Sequence, residues 1–155
     1  MKLLAFLVFI IIATSFKPNG VVTTVLTCKS KSGLTKFSTN LTDYDIFGHA
    51  ELILDGGKLN FSSKDKGHII NDSRNKVFTM YLESSERKIK GRNAFLRFWA
   101  IPSTFQSSQI DKTSDPYSLH EIYKFKAKLI SSDPREGKES ETSTIELECT
   151  LENTL

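Results

Sequence analysis

Two segments in the carboxyl-terminal part of the chain decide the fold: HEIYKFKAKLI at residues 120–130 and TIELECTLE at residues 144–152. In both segments apolar side chains alternate with polar or charged ones. Successive side chains of a β-strand point to opposite faces of the sheet, so this alternation gives each segment one apolar face and one charged face. We therefore predict two strands that each bury one face and expose the other.

The charged faces of these two segments are complementary. The first carries a row of lysines and the second a set of glutamates. These residues are Lys124, Lys126, Lys128, Glu146, Glu148 and Glu152. Asp133-Pro134 and Gly137 between the segments favour a turn, so we predict an antiparallel pair. Opposite-charge pairs across two strands contribute about 0.2 to 1 kcal/mol each. We expect the glutamates to neutralise the lysines, which favours a structural ladder over a phosphate or acidic-polysaccharide site.

From residue 21 onward the chain shows similar short alternating runs, broken by turn residues and almost without a helical period. Asp55-Gly56 favours the positive φ angles of a tight hairpin. Residues 76–82 and 88–90 are interpreted as two strands joined by a polar connection, and the most hydrophobic run, residues 93–101, as a central strand. This pattern predicts an all-β fold, an antiparallel β-sandwich of about eight or nine strands, with a closed antiparallel β-barrel as the alternative.

The amino terminus has the features of a signal peptide. Met1 and Lys2 precede an apolar run at residues 3–12, and Ala13 and Ser15 have the spacing of a cleavage site. An apolar run of this length is shorter than the roughly 20 residues of a membrane-spanning helix. We predict a signal peptide at residues 1–15 and one exported domain at residues 16–155, with no stable membrane anchor after cleavage. A periplasmic or secreted bacterial protein is the favoured interpretation.

The chain contains two cysteines, Cys28 and Cys149, near the two ends of the predicted domain. Neither belongs to a C-x-x-C pair, and both lie in predicted strands, which argues against a redox role. In an oxidising compartment two such thiols form a structural disulfide. We therefore predict a Cys28–Cys149 bridge.

The overall charge does not indicate a particular partner. The chain has 21 basic and 18 acidic side chains and a formal net charge of +3. Nucleic-acid-binding domains are usually much more basic, with the positive charge on one face. We expect no nucleic-acid partner, and we expect a monomer whose partner is a protein or a glycan.

The sequence contains no recognisable metal, cofactor or catalytic motif. Residues 43–48 begin like a calcium loop, but Phe47 and Leu54 stand where such a loop has ligands. The histidines, His49, His68 and His120, are scattered. There is no G-x-S-x-G motif and no glycine-rich phosphate loop. We expect neither metal nor cofactor, and the sequence favours a non-catalytic protein.

A long polar stretch at residues 103–118 follows Pro102 and contains two aromatic residues, Phe105 and Tyr117. Long connections are often functional, and an aromatic side chain in a polar loop is a candidate anchor for a partner. We predict that Phe105 and Tyr117 mark an interaction surface. The favoured function is an exported non-catalytic binding or interaction module. The alternative is a small periplasmic or secreted hydrolase whose site is assembled from residues distant in sequence.

Three N-glycosylation sequons begin at Asn40, Asn60 and Asn71. They are acceptors only in a eukaryotic host.

Overall fold

The computed structural model describes residues 20–110 and 120–155, with side chains described outside residues 107–110. The predicted signal peptide and Tyr117 lie outside the described residues. The described part forms ten strands and two short 3-10 turns, at Ser73–Asn75 and Pro102–Thr104. The strands are β1 (Thr23–Lys29), β2 (Thr35–Thr42), β3 (Ile46–Leu54), β4 (Gly57–Ser62), β5 (Lys66–Asp72), β6 (Val77–Ile89), β7 (Arg92–Ala100), β8 (Gln106–Ile110), β9 (His120–Ser131) and β10 (Ile145–Thr154).

All the pairings between these strands are antiparallel, and nine strands follow one hydrogen-bonded path in the order β4-β3-β2-β1-β10-β9-β7-β6-β5. The remaining strand, β8, pairs with the first half of β9, whereas β7 pairs with the second half. The long polar stretch after Pro102 therefore contains a strand, β8, which lies on the same side of β9 as β7 does and pairs with the part of β9 that β7 does not cover. The prediction that residues 103–118 are all loop is wrong for β8.

The predicted all-β antiparallel class is confirmed. The sheet curls strongly, so that β5, at one edge, comes close to β3 and to the turn that precedes β3. A side-chain carbon at Gly67 would lie 3.8 Å from Phe47, and Asn71 Nδ2 donates a hydrogen bond to the Tyr44 carbonyl at 3.1 Å. The two layers expected of a sandwich are thus two halves of one continuous sheet that encloses a single core.

The core is built from the side chains that point inward at every second position along the strands. Phe98 on β7 lies at its centre, with ring centroids 5.3 Å from Phe37 and 5.7 Å from Phe78. Full burial of a large apolar side chain contributes about 1.5 to 3 kcal/mol. Since β7 lies between β9 and β6, the prediction of a central hydrophobic strand is confirmed.

The predicted disulfide is present. Cys28 on β1 and Cys149 on β10 stand directly opposite each other, with their Cα atoms 4.1 Å apart, and both are buried. The bridge joins the first and last strands across a sequence separation of 121 residues. In the loop-entropy description, closing a loop of this length stabilises the fold by about 5 kcal/mol.

The predicted pairing of the lysine and glutamate rows is also confirmed. Lys128 lies opposite Glu146 and Lys126 opposite Glu148, whereas Lys124 lies opposite Thr150. The ion pair that forms is diagonal, with Lys126 Nζ 3.1 Å from Glu146 Oε1.

The strand boundaries predicted around residues 83–87 are wrong. β6 continues to Ile89, and the tight turn comes later, at Lys90 (φ 49°) and Gly91 (φ 79°). Residues 84–87 face only Ala94 of β7 and form a bulge inside the strand. The buried Ser84 Oγ accepts a hydrogen bond from the Arg87 backbone N–H at 3.2 Å, which stabilises the bulge.

Candidate binding surface

Phe105 packs against the sheet. Its ring stacks on Phe125 with a centroid distance of 4.4 Å and an interplanar angle of 10°, and it lies 6.5 Å from the ring of Tyr123. The side chain is partly buried by these contacts. The contacts hold the segment after β7 against β9. Because Tyr117 lies outside the described residues, the interaction surface predicted from the two aromatics stays a prediction.

The residues considered as metal ligands lie on separate elements. Residues 43–45 form the turn between β2 and β3, and Gly48 sits at a bulge of β3 against the side chain of Asn40. His49 is on β3, His68 on β5 and His120 on β9. Within residues 20–110 and 120–155, no group of three or more His, Cys, Asp or Glu side chains is arranged to hold a metal ion.

A buried polar network links four parts of the fold at the end of the sheet where β9 begins. Glu121 is 3% exposed and its Oε1 accepts hydrogen bonds from Arg74 Nε at 2.9 Å and Nη2 at 2.7 Å. Its Oε2 accepts from Asn153 Nδ2 at 3.3 Å, and Asn153 Oδ1 accepts from Thr24 Oγ1 at 2.6 Å. Burial and the nearby Glu121 carboxylate raise the pKa of Tyr123.

Both oxygens of Glu121 are occupied by protein donors, and the donors come from β10 and from the connection between β5 and β6. Such satisfied buried networks rigidify a fold. An open cleft of about 220 Å³ lies over this network, beside Tyr44 and Asn71. We interpret the network as structural, because its hydrogen bonds run between distant strands.

The outward face of β5, β6 and β7 carries an unusual set of side chains for a solvent-facing sheet. Strand pairing places Tyr81 between His68 and Arg97, and Thr79 between Ile70 and Trp99. Trp99 is the single tryptophan of the chain. It is partly exposed, as are Tyr81 and Phe95 on the same face. We call Tyr81, Phe95 and Trp99 the outer aromatic face.

A cleft of about 370 Å³ lies at one end of this face, where the β9–β10 connection passes β6 and β7. Its lining combines aromatic rings with polar and charged groups. Among the lining residues are Tyr81, Phe95, Arg92, Asn93, Ser132 and Ser140. The cleft also contains two carboxylates, those of Glu83 and Glu141.

The Glu83 carboxylate is held in place on the outer face. Its Oε1 accepts a hydrogen bond from Asn93 Nδ2 at 2.9 Å and its Oε2 accepts from the Tyr81 hydroxyl at 3.1 Å. These hydrogen bonds, that from Asn93 first, lower the pKa of Glu83. Desolvation and the bond to Glu83 raise the pKa of Tyr81. Near neutral pH the cleft therefore presents an ionised carboxylate and a protonated phenol.

Next to the cleft, the tip of the β6–β7 hairpin is strongly basic. Residues 87–92 read RKIKGR, with four cations in six positions. These cations, which we call the basic tip, are Arg87, Lys88, Lys90 and Arg92. All four are exposed. Within the described part of the chain none of them forms an ion pair with a carboxylate.

The basic tip is held by its apolar residue. Ile89 packs against the core and lies opposite Arg92, while Lys88 lies opposite Asn93. Lys90 Nζ donates a hydrogen bond to the Lys138 carbonyl, which connects the tip to the β9–β10 connection. Sequence analysis missed this cluster because residues 83–87 were interpreted as a connection, which separated Arg87 from the lysines that follow it. The local density of Lys and Arg was the signal that could have found it.

No protein-family model matches the chain, and neither the curated proteins nor the solved structures include a significant match. Among the described residues no helix is long and apolar enough to span a membrane. The function must therefore be inferred from the fold and from these surfaces.

Proposed function

We propose that the protein is an exported, non-catalytic binding module that holds a glycan chain on the outer aromatic face and in the adjacent cleft. The observation that carries the proposal is the position of Trp99, Tyr81 and Phe95 on the outside of a sheet, where a large aromatic side chain is not needed for the core. The disulfide agrees with an oxidising compartment outside the cytoplasm.

The chemistry of this surface suits a sugar. Aromatic rings offer flat apolar area to the C–H face of a pyranose ring, while polar groups fix its orientation. Asn93, Ser132 and Ser140 provide donors and acceptors in the cleft, and ionised Glu83 and Glu141 accept hydrogen bonds from hydroxyl groups.

The single tryptophan provides the test. The purified, disulfide-bonded protein is titrated with a panel of soluble polysaccharides, both neutral and acidic, while the fluorescence of Trp99 is recorded. We expect a saturable change in intensity or emission maximum with at least one polysaccharide, because a sugar over the indole excludes water. Tyr81→Ala should weaken the binding about tenfold, which corresponds to the loss of one aromatic contact.

Leu34→Ala is the matched control, since it removes another exposed apolar side chain, which is on a different part of the surface. It should bind as the wild type does. The proposal is wrong if no polysaccharide in the panel gives a saturable change, or if Tyr81→Ala and Leu34→Ala bind alike in the folded state.

The hydrolase alternative has one specific candidate, the two carboxylates of the cleft, Glu83 and Glu141. Paired carboxylates are the catalytic groups of most glycoside hydrolases. The hydrogen bonds that lower the pKa of Glu83 make it a poor general acid, so in this alternative Glu83 would be the nucleophile or general base and Glu141 the general acid. Release of reducing ends from a bound polysaccharide, abolished by Glu83→Gln, would establish the alternative.

A further inference from the structure

We propose that the glycan is anionic, and that the basic tip of the β6–β7 hairpin binds its sulfate or carboxylate groups. This inference rests on the proposed function, since it names the class of polysaccharide that the outer aromatic face would hold. Its ligand is a linear polysaccharide with regularly spaced negative charges.

The first argument is the density of uncompensated charge. Elsewhere in the described part of the chain two lysines form ion pairs, Lys58 with Glu51 and Lys126 with Glu146, whereas none of the four tip cations does. At the tip, Arg87, Lys88, Lys90 and Arg92 cluster on one short hairpin. Bringing like charges together on a surface is unfavourable, and a polyanion that binds them relieves the repulsion.

The acidic groups around the tip leave its cations available to this ligand. Glu86 lies in the bulge, and Glu136, Glu139 and Glu141 lie in the β9–β10 connection, yet no ion pair joins any of them to the tip in the part of the chain that the structure describes. Glu141 and Glu83 line the cleft instead. A sugar chain would thus place hydroxyl groups at the cleft carboxylates and its charged groups at the tip.

The tip and the cleft together favour a polysaccharide over other polyanions. A single-stranded nucleic acid stacks its bases on aromatic side chains and carries a phosphate at every nucleotide, so bases on the outer aromatic face would bring phosphates close to the carboxylates of Glu83 and Glu141. Residues 87–92 contain one apolar side chain, Ile89, which is partly buried against the core. This contact leaves little apolar surface at the tip to enter a lipid bilayer. The tip therefore presents an array of exposed cations, which suits a polysaccharide whose sulfate or carboxylate groups project from its sugar rings.

The geometry of the hairpin fits an extended chain. Lys88 is near the end of β6 and Lys90 stands in the turn that follows, so both cations lie at the tip of the hairpin. Arg92 lines the cleft that begins beside Tyr81 and Phe95. The cations therefore lead from the hairpin tip towards the aromatic rings, along a path that one chain can follow.

The test measures binding of the disulfide-bonded protein to four polymers by calorimetry. Heparin carries sulfate and carboxylate groups, dextran sulfate carries only sulfate, hyaluronan only carboxylate, and dextran is neutral. We expect the wild type to bind heparin, to bind at least one of the two polymers with a single kind of acid, and to bind dextran at least tenfold more weakly. Affinity should fall as the salt concentration rises, because exposed charges are screened.

The decisive variant is Arg87→Glu with Lys88→Glu, since neither side chain forms a hydrogen bond or ion pair with another described residue. It should lose roughly tenfold or more of the affinity for heparin. Lys76→Glu with Lys124→Glu is the matched control, because it changes the net charge equally at exposed positions near the other end of the sheet. The control should lose less than threefold. Circular dichroism confirms that both variants are folded.

Several outcomes overturn the inference. If both variants lose affinity equally, the effect is general charge and the tip is not a site. If heparin, dextran sulfate and hyaluronan do not bind but a neutral glycan still shifts the fluorescence of Trp99, the anionic class is wrong and the proposed function stands. If single-stranded RNA or vesicles with anionic lipids bind the tip more tightly than heparin does, the ligand is not a polysaccharide. Failure of every glycan refutes both proposals.

Discussion

Asp133, at the start of the β9–β10 connection, shows how one side chain shapes the surface beside the cleft. It is 4% exposed, and its carboxylate accepts hydrogen bonds from Arg135 Nε at 2.8 Å, Nη2 at 2.6 Å and the Arg135 backbone N–H at 3.1 Å. The Asp133 backbone N–H donates to the Ser140 carbonyl at 3.1 Å. These contacts fold the connection back on itself and bring Ser140 to the lining of the cleft.

The hydrogen bonds from Arg135 lower the pKa of Asp133, so this residue makes the stability depend on pH. The carboxylate contributes fully above the pKa of the unfolded chain, about 3.9, and its contribution is lost as the pH falls through the lower native value. Near pH 7, Asp133→Asn should therefore be less stable than the wild type by about 1 to 3 kcal/mol. Urea denaturation between pH 7 and pH 2 should show this difference shrinking on the acid side. The exposed Glu86→Gln serves as the control, and a difference that does not change with pH would contradict the assignment.

Among the strands, the β9–β10 pair combines a core face with a charged face, and the diagonal contact of Lys126 with Glu146 is its clearest ion pair. Both side chains are about half exposed, so we expect only a small contribution. Lys126→Glu and Glu146→Lys should each destabilise the protein, and the double reversal should cost less than the two single changes added together. We expect a coupling energy of about 0.5 kcal/mol from the double-mutant cycle.

The ionic strength provides the control for this cycle. In 1 M NaCl the coupling should largely disappear, since screening acts over about 3 Å. A coupling that is zero at low salt, with both single variants folded, would mean that the pair forms no interaction in solution.

Strands such as β9 and β10 could be predicted because apolar and polar residues alternate along the sequence of a half-buried strand. The curl of the sheet could not, since it arises from contacts such as that between Asn71 and Tyr44, which are distant in the chain. The candidate site was missed for a similar reason. Tyr81 and Trp99 occupy outward positions on strands rich in apolar residues, and only the register shows that they share a face. The position of the basic tip depends on the bulge at residues 84–87, and no turn residue in the sequence indicates that bulge.

At the scale of the molecule, the fold is one sheet whose first and last strands, β1 and β10, are neighbours. Six of the eight neighbouring pairs along the path are consecutive strands, whereas the β1–β10 pair joins segments from the two ends of the described chain and so costs the most chain entropy to close. The Cys28–Cys149 bridge joins β1 and β10 covalently and removes part of that entropy from the unfolded chain. The bridge should therefore act on global stability, with little effect on the binding surface on β6 and β7.

We predict that replacing both cysteines, Cys28→Ala with Cys149→Ala, lowers the free energy of unfolding by about 2 to 5 kcal/mol. Urea denaturation measures the loss, and Thr27→Ala with Thr150→Ala is the matched control, because these residues pair on the outward face next to the bridge. Intact mass after alkylation gives an independent test: the native protein should take up no reagent, and the reduced protein two equivalents. Two reactive thiols in the native protein would show that the bridge is absent. If the cysteine variant folds, the response of Trp99 to a bound glycan should be unchanged, since the bridge and Trp99 lie on strands separated by β9.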